Sequence, residues 1–195
     1  AEFYCSIFPD SKIISKTVIH DTPSGSRDIF SFSLWGQRFE AANGREGSTL
    51  NPSISFMVNF DPLFFNDHEN PEEAASQKLE ALWNHLIIGG QALMELGEYD
   101  FSPKYGWLQD RFGVSWQLIL TEPEGDPRPT IMPSLLFVGD VCGKAEEAGN
   151  LYKSSFKNSE TGMTVLFPDG VEGEREGTVM FSDFRLRDTW FTASD

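Results

Sequence analysis

The chain has 195 residues, enough for one large domain or two small ones, and its 39% apolar and 13% aromatic content is too high for a disordered segment. Thirty acidic residues against fifteen basic ones give a net charge of -15, and no basic stripe could follow a phosphate backbone, which argues against a nucleic-acid partner. No window reaches the ~18 apolar residues of a spanning helix, the first residues carry no charged stretch followed by an apolar run, and Cys5 and Cys142 are too few for a disulfide framework; a cytoplasmic chain without membrane contact is expected.

The opening FYCSIFPDSKI reads as the end of a helix running into a strand over 11–19, with His20 in the polar loop that follows. The stretch 30–44, FSFSLWGQRFEAANG, reads as strands that end in small and polar residues. A β-rich apolar run covers 50–60. From Asp61 to Asp100 nine carboxylates accompany only Lys78, the pattern of a solvated surface. Within it, Asn70 is placed as an N-cap, Pro71 at the first helical position and Glu72 in the first turn. Ala75, Leu79, Leu82, Trp83 and Leu86 then form a helical stripe, closed by Gly89 and Gly90.

Two strands are predicted in YGWLQDRFGVSWQLIL, 105–120, around a turn at Asp110 to Gly113. Residues 122–129, EPEGDPRP, read as a linker or tight crossover. An apolar strand over 130–139 leads to a helix whose Ala145, Ala148, Tyr152 and Phe156 share one face, and 179–195 again reads as strands.

The chain also repeats itself. Tyr4, Ser6, Phe8 and Ser11 fall on Tyr152, Ser154, Phe156 and Ser159, and after a loop of similar length Phe32 and Ser33 fall on Phe181 and Ser182. Between the copies, 50–121 has the same grammar of strand, helix and strands. The chain thus parses into a module without its first strand, a complete module and a third one. We expect 1–121 to form one two-module domain and 129–195 to begin a second.

The segments AEEAGNLYKSSFKNSE, FYCSIFPDSK and YGWLQDRFGVSWQLIL resemble the signatures of the PhnB-like family, in the glyoxalase/bleomycin-resistance/dioxygenase (vicinal oxygen chelate) superfamily. FEAANG at 39–44 resembles the small Asn-Gly corner that often ends that family's fourth strand. The resemblance implies an α+β fold of repeated βαβββ modules, with curved mixed sheets forming a cup and helices outside. Members often carry the label demethylubiquinone methyltransferase. Nothing in the sequence resembles a methyl-donor site, since no glycine-rich strand-to-helix turn has a ribose-binding acid downstream.

Metal-dependent members place His or Glu on the inward strands. By that resemblance the expected Glu of the last strand is Gln117, the expected His falls near Ser53, and Glu40 alone keeps a carboxylate. An amide and a hydroxyl are poor ligands for zinc or iron, so no metal or cofactor is expected. His20, His68 and His85 read as surface or helix-face residues, and no Ser-His-Asp or Cys-His set assigns a catalytic residue.

Trp35, Phe39, Phe56, Trp107 and Trp116 lie on predicted strands, and alternation sends part of this set to the concave face. The candidate ligand-binding residues are Glu40, Ser53, Phe56, Trp107, Trp116 and Gln117. A metal-independent protein binding an unidentified small molecule is the leading expectation. A metal-dependent lyase, isomerase or oxygenase and a purely structural assembly module are the alternatives. Because cups need modules in pairs, three modules imply either a homodimer in which third modules meet or a longer native protein.

Overall fold

The computed structural model describes residues 1–23, 25–42, 49–122, 127–170 and 175–195. The first module comprises helix α1 (Glu2–Ile7) and strands β1 (Lys12–Thr22), β2 (Gly25–Leu34) and β3 (Gln37–Ala42). The second runs through β4 (Ile54–Phe60), α2 (Pro71–Leu86), β5 (Gln91–Tyr99), β6 (Ser102–Gln109) and β7 (Ser115–Leu120). The third has β8 (Ile131–Leu136), α3 (Ala145–Ser155), β9 (Glu160–Leu166), β10 (Val179–Leu186) and β11 (Thr189–Ser194). These repeated βαβββ-type modules, with curved mixed sheets and helices outside, are the α+β class that the sequence led us to expect.

Local chemistry explains the elements. The Asn70 side chain accepts from the Glu73 amide at the start of α2, and Pro71 occupies the first turn, where its missing N–H costs nothing. Ala75, Leu79, Leu82, Trp83 and Leu86 form the buried face of this helix. Gly89 follows it with φ +75. A Cβ on Gly90 would lie 2.4 Å from the Gln109 carbonyl, so the chain passes too close to the end of β6 for any side chain there. Helix α3 is held at its start by Asp195, whose carboxylate accepts from the amides of Gly143, Ala145 and Val179.

Strand pairing brings the second and third modules together. Their eight strands form one sheet in the order β5-β6-β7-β4-β8-β11-β10-β9. Within each module the first strand pairs parallel with the last, β4 with β7 and β8 with β11. The two first strands then meet antiparallel, with Ser55 opposite Ser134 and Met57 opposite Met132. The Asn59 side chain fastens the seam by donating to the Pro129 carbonyl at 2.7 Å. The unpaired module in this chain is therefore the first. Its three strands form a separate antiparallel sheet, β1-β2-β3, in which β3 has no parallel partner among the described residues.

That small sheet and α1 pack on the helix side of the large one. Phe39 meets Phe56 at 5.1 Å between ring centroids, Phe56 meets Trp116 at 5.2 Å, and Phe8 meets Trp116 at 5.1 Å. Tyr4 and Trp116 both donate to Asp110 Oδ2, whose other oxygen accepts from the amides of Phe112 and Val114. One buried carboxylate thus closes the β6–β7 turn and anchors α1. The largest buried cluster runs from Tyr4 through α2 to Ile131, while Ala145, Val179, Phe184 and Ala193 form a smaller one under α3.

Two details depart from the sequence expectations. His20 lies inside β1 rather than in a loop, its Nδ1 3.2 Å from Ser26 Oγ, because the hairpin extends to Thr22. Strands β5 and β9 were not anticipated. Of the expected linker, residues 123–126 lie outside the described residues, and so do Asn43 and Gly44 of the small-residue corner.

Candidate functional site

The concave face of the eight-stranded sheet encloses a cavity of about 460 Å³. That is within the usual range for small-molecule sites, about 300–1,000 Å³. Side-chain alternation decides what faces it. On β6, Tyr105 and Trp107 point into the cavity while Gly106 lies against the Trp83 ring behind; on β7, Gln117 and Ile119 point in while Trp116 and Leu118 are core. The third module supplies Ser134 and Leu136 from β8, Met163 and Val165 from β9, Met180 and Phe181 from β10, and Thr192 and Ser194 from β11.

Four of the chain's five methionines, Met57, Met94, Met163 and Met180, line this space. Thioethers are flexible and polarisable, and they pack well against ring faces and edges. Trp107 is held in place by its Nε1, which donates to Ser115 Oγ at 2.7 Å. Among the described residues lining the cavity, Glu122 at the rim carries the only charge.

The floor lies where the modules join. Tyr105 donates to Gln117 Oε1 at 2.8 Å, and Gln117 Nε2 donates to Ser55 Oγ at 2.8 Å and Ser134 Oγ at 3.2 Å. One amide therefore ties β6, β7, β4 and β8 together. Burial holds the Tyr105 phenol protonated well above its ordinary range, with a smaller push from Tyr99. Beside Ser134, on the parallel strand β11, Thr192 is only 1% exposed, and its hydroxyl has no hydrogen-bond partner.

These donors do not suit a divalent cation. The set is one amide and four hydroxyls, its amide oxygen accepts from Tyr105, and both amide hydrogens are given to serines. Zinc or iron binding wants thiolate, imidazole or carboxylate at two or more positions. Among the described residues no group of three or more His, Cys, Asp or Glu converges anywhere.

Of the residues nominated from sequence, Gln117 and Trp107 meet in the cavity. Phe56 and Trp116 pack on the other face, under α1 and the small sheet. Glu40 lies on β3, accepting from Ser31 at 3.2 Å and standing 3.7 Å from Arg38, outside the cavity lining. Ser53 is exposed ahead of β4, its hydroxyl bonded to Asn51, and the serine that reaches Gln117 is Ser55. Of the other strand aromatics, Trp35 and Phe39 belong to the buried cluster shared by the first two modules. Sequence reasoning missed the third module's contribution, although period two through Trp190, Thr192 and Ser194 marks one face of β11.

Paired βαβββ modules around a cup define the class, the glyoxalase/bleomycin-resistance architecture. Within it, the chain belongs to the family described as 3-demethylubiquinone-9 3-methyltransferase, which matches residues 1–119 and 129–195. It is 30% identical to a PhnB protein from Bacillus cereus over 62% of this chain and 87% of that one, with a TM-score of 0.49. Glyoxalase I from Zea mays is similar in fold, with 13% identity and a TM-score of 0.60 over 98% of this chain and 61% of the maize chain. A comparison with curated proteins gave no match.

Proposed function

We propose that the chain binds a small organic molecule in the cup between its second and third modules, without a metal ion. The observation that carries this reading is the Gln117 network. At the point where four strands converge on the cavity floor, a neutral amide makes three hydrogen bonds, with Tyr105, Ser55 and Ser134. Neutral, hydrogen-bonded groups at the base of an apolar cavity suit an organic ligand, whereas a cation would have to break this network to reach a weak donor.

The family's description speaks of methyl transfer to a demethylubiquinone. The cavity gives that activity no support, since among the described residues none at a helix N-terminus belongs to its wall, where the carboxylate of a methyl donor would be received. Sequestration of a ligand is the function we favour. Elemental analysis of purified protein tests the metal half of this reading. We expect substoichiometric zinc, manganese and iron. One equivalent of any of them, lost together with ligand binding on chelation, would sink it.

Two further parts of the proposal concern setting. The reducing-compartment cysteine pattern supports a cytoplasmic protein. The small sheet of the first module, whose β1 exposes Ile13, Ile14, Val18 and Ile19, supports a homodimer.

A further inference from the structure

Among the described residues two hydroxyls in the cavity wall, those of Thr121 and Thr192, are buried without a hydrogen-bond partner, and Thr192 is the one that stands beside a residue of the floor network, Ser134. The Thr192 hydroxyl is shielded from solvent and unpartnered, although a buried hydroxyl without a hydrogen bond costs free energy that native structures seldom leave uncompensated. Its neighbour across the parallel ladder is Ser134. The Ser134 oxygen already accepts from Gln117, which leaves its proton to donate. Two hydroxyls on adjacent strands, roughly 5 Å apart at their backbones, can both donate to a single oxygen placed between them.

Charge narrows the class further. Among the described residues the lining has no cation to receive a carboxylate, sulfonate or phosphate, and the chain's net charge of -15 adds a repulsive field. The single anionic residue, Glu122, is exposed at the rim, so an ammonium on the floor would also lack a partner. The walls are thioethers and rings, which take the faces of a flat molecule.

We infer that the ligand is an uncharged, largely aromatic molecule with one hydroxyl or carbonyl oxygen, bound with that oxygen between Ser134 and Thr192. This rests on the small-molecule reading of the cup given above.

Equilibrium dialysis of the whole chain at pH 7 against naphthalene, 2-naphthol and 2-naphthoate tests it, because the three share a skeleton and differ in oxygen and charge. We expect 2-naphthol to bind about tenfold tighter than naphthalene, the effect of one hydrogen bond made to buried donors, and naphthoate to bind more weakly than either. Thr192→Val, which keeps the shape and removes one of the two donors, should cut the preference for naphthol over naphthalene to about threefold, Ser134 still donating, while leaving naphthalene unchanged. It should also raise the melting temperature of the free protein by about 2–4 °C, because no orphaned hydroxyl is left behind. A melting temperature lowered by Thr192→Val would mean the hydroxyl is structurally satisfied and would overturn the inference. Equal binding of naphthol and naphthalene would overturn the anchor while leaving the cup reading standing, and tighter naphthoate binding would overturn the uncharged class. If none of the three is retained by the wild-type chain, the cup reading itself fails, and this inference with it.

Discussion

At the residue scale, Gln117 shows how a small chemical difference separates architecture from chemistry. A carboxylate in its place would accept only, leaving Ser55 and Ser134 without the amide hydrogens they now receive, and would lie buried without a cation. Two buried phenols link stability to alkaline pH. Burial raises Tyr4 and Tyr105 above their ordinary value of 10.0, with the Asp110 hydrogen bond and charge adding to Tyr4. A raised folded-state value means that the native protein holds protons the unfolded chain has released. The stability from these phenols is complete below pH 10 and is lost as pH rises from there toward the folded-state values. Urea denaturation between pH 8 and pH 11.5 should therefore show stability falling above pH 10. Tyr105→Phe should flatten that fall, while costing about 1–3 kcal/mol at pH 8 because Gln117 Oε1 loses its donor; an unchanged slope would contradict the assignment.

Residue identity was legible in the sequence only where the chain's own pattern defined a face. Gln117 and Trp107 share the parity of β7 and β6 that enters the cavity, and both were nominated. Phe56 and Trp116 have the opposite parity, and no periodicity says which side of a two-faced strand is the cup. The packing of the first module on that side decided it. Ser53 stood two residues from Ser55, the same face of an extended chain, but ahead of the point where β4 begins.

At the element scale, the segment from Tyr105 to Gln117 is mostly scaffold. Asp110 closes the turn and receives Tyr4 and Trp116; Gly113 has φ +84; and a Cβ on Gly106 would lie 2.5 Å from the Trp83 ring. The family signature thus reports how β6 and β7 are joined to α2 and α1, with Trp107 and Gln117 as its contributions to the cavity. Gly106→Ala should press β6 away from α2 and lower stability by about 1–3 kcal/mol, read as a lower urea midpoint with unchanged slope. No change in midpoint would mean that the helix and strand are less tightly apposed than their contact implies. The helix stripes and caps were readable because a 3.6-residue period and an N-cap are local. Strands β5 and β9, at the two edges of the sheet, carry exposed and half-buried residues and no fully buried one, so no apolar run marks them in the sequence.

At the scale of the whole molecule, the number of modules was legible and their pairing was not. Sequence order suggested that the first two modules share a cup, whereas β4 pairs with β8 and the cup lies between the second and third. Edge-to-edge pairing of first strands is a long-range choice, and each module's strand pattern is compatible with either neighbour. The first module instead shares a hydrophobic core with the second and leaves β1 largely exposed on both faces. We predict that sedimentation equilibrium at micromolar concentration gives a dimer, and that Ile14→Lys with Val18→Lys shifts it to monomer without altering ligand binding in the cup. A wild-type monomer would remove the homodimer from the account.

The proposed cup is one per chain and needs no metal ion. Calorimetric titration of chelator-dialysed protein with 2-naphthol measures it most directly. We expect saturable binding with one site per chain, unaltered when zinc or manganese is restored. Binding that appears only after metal is added back would contradict it.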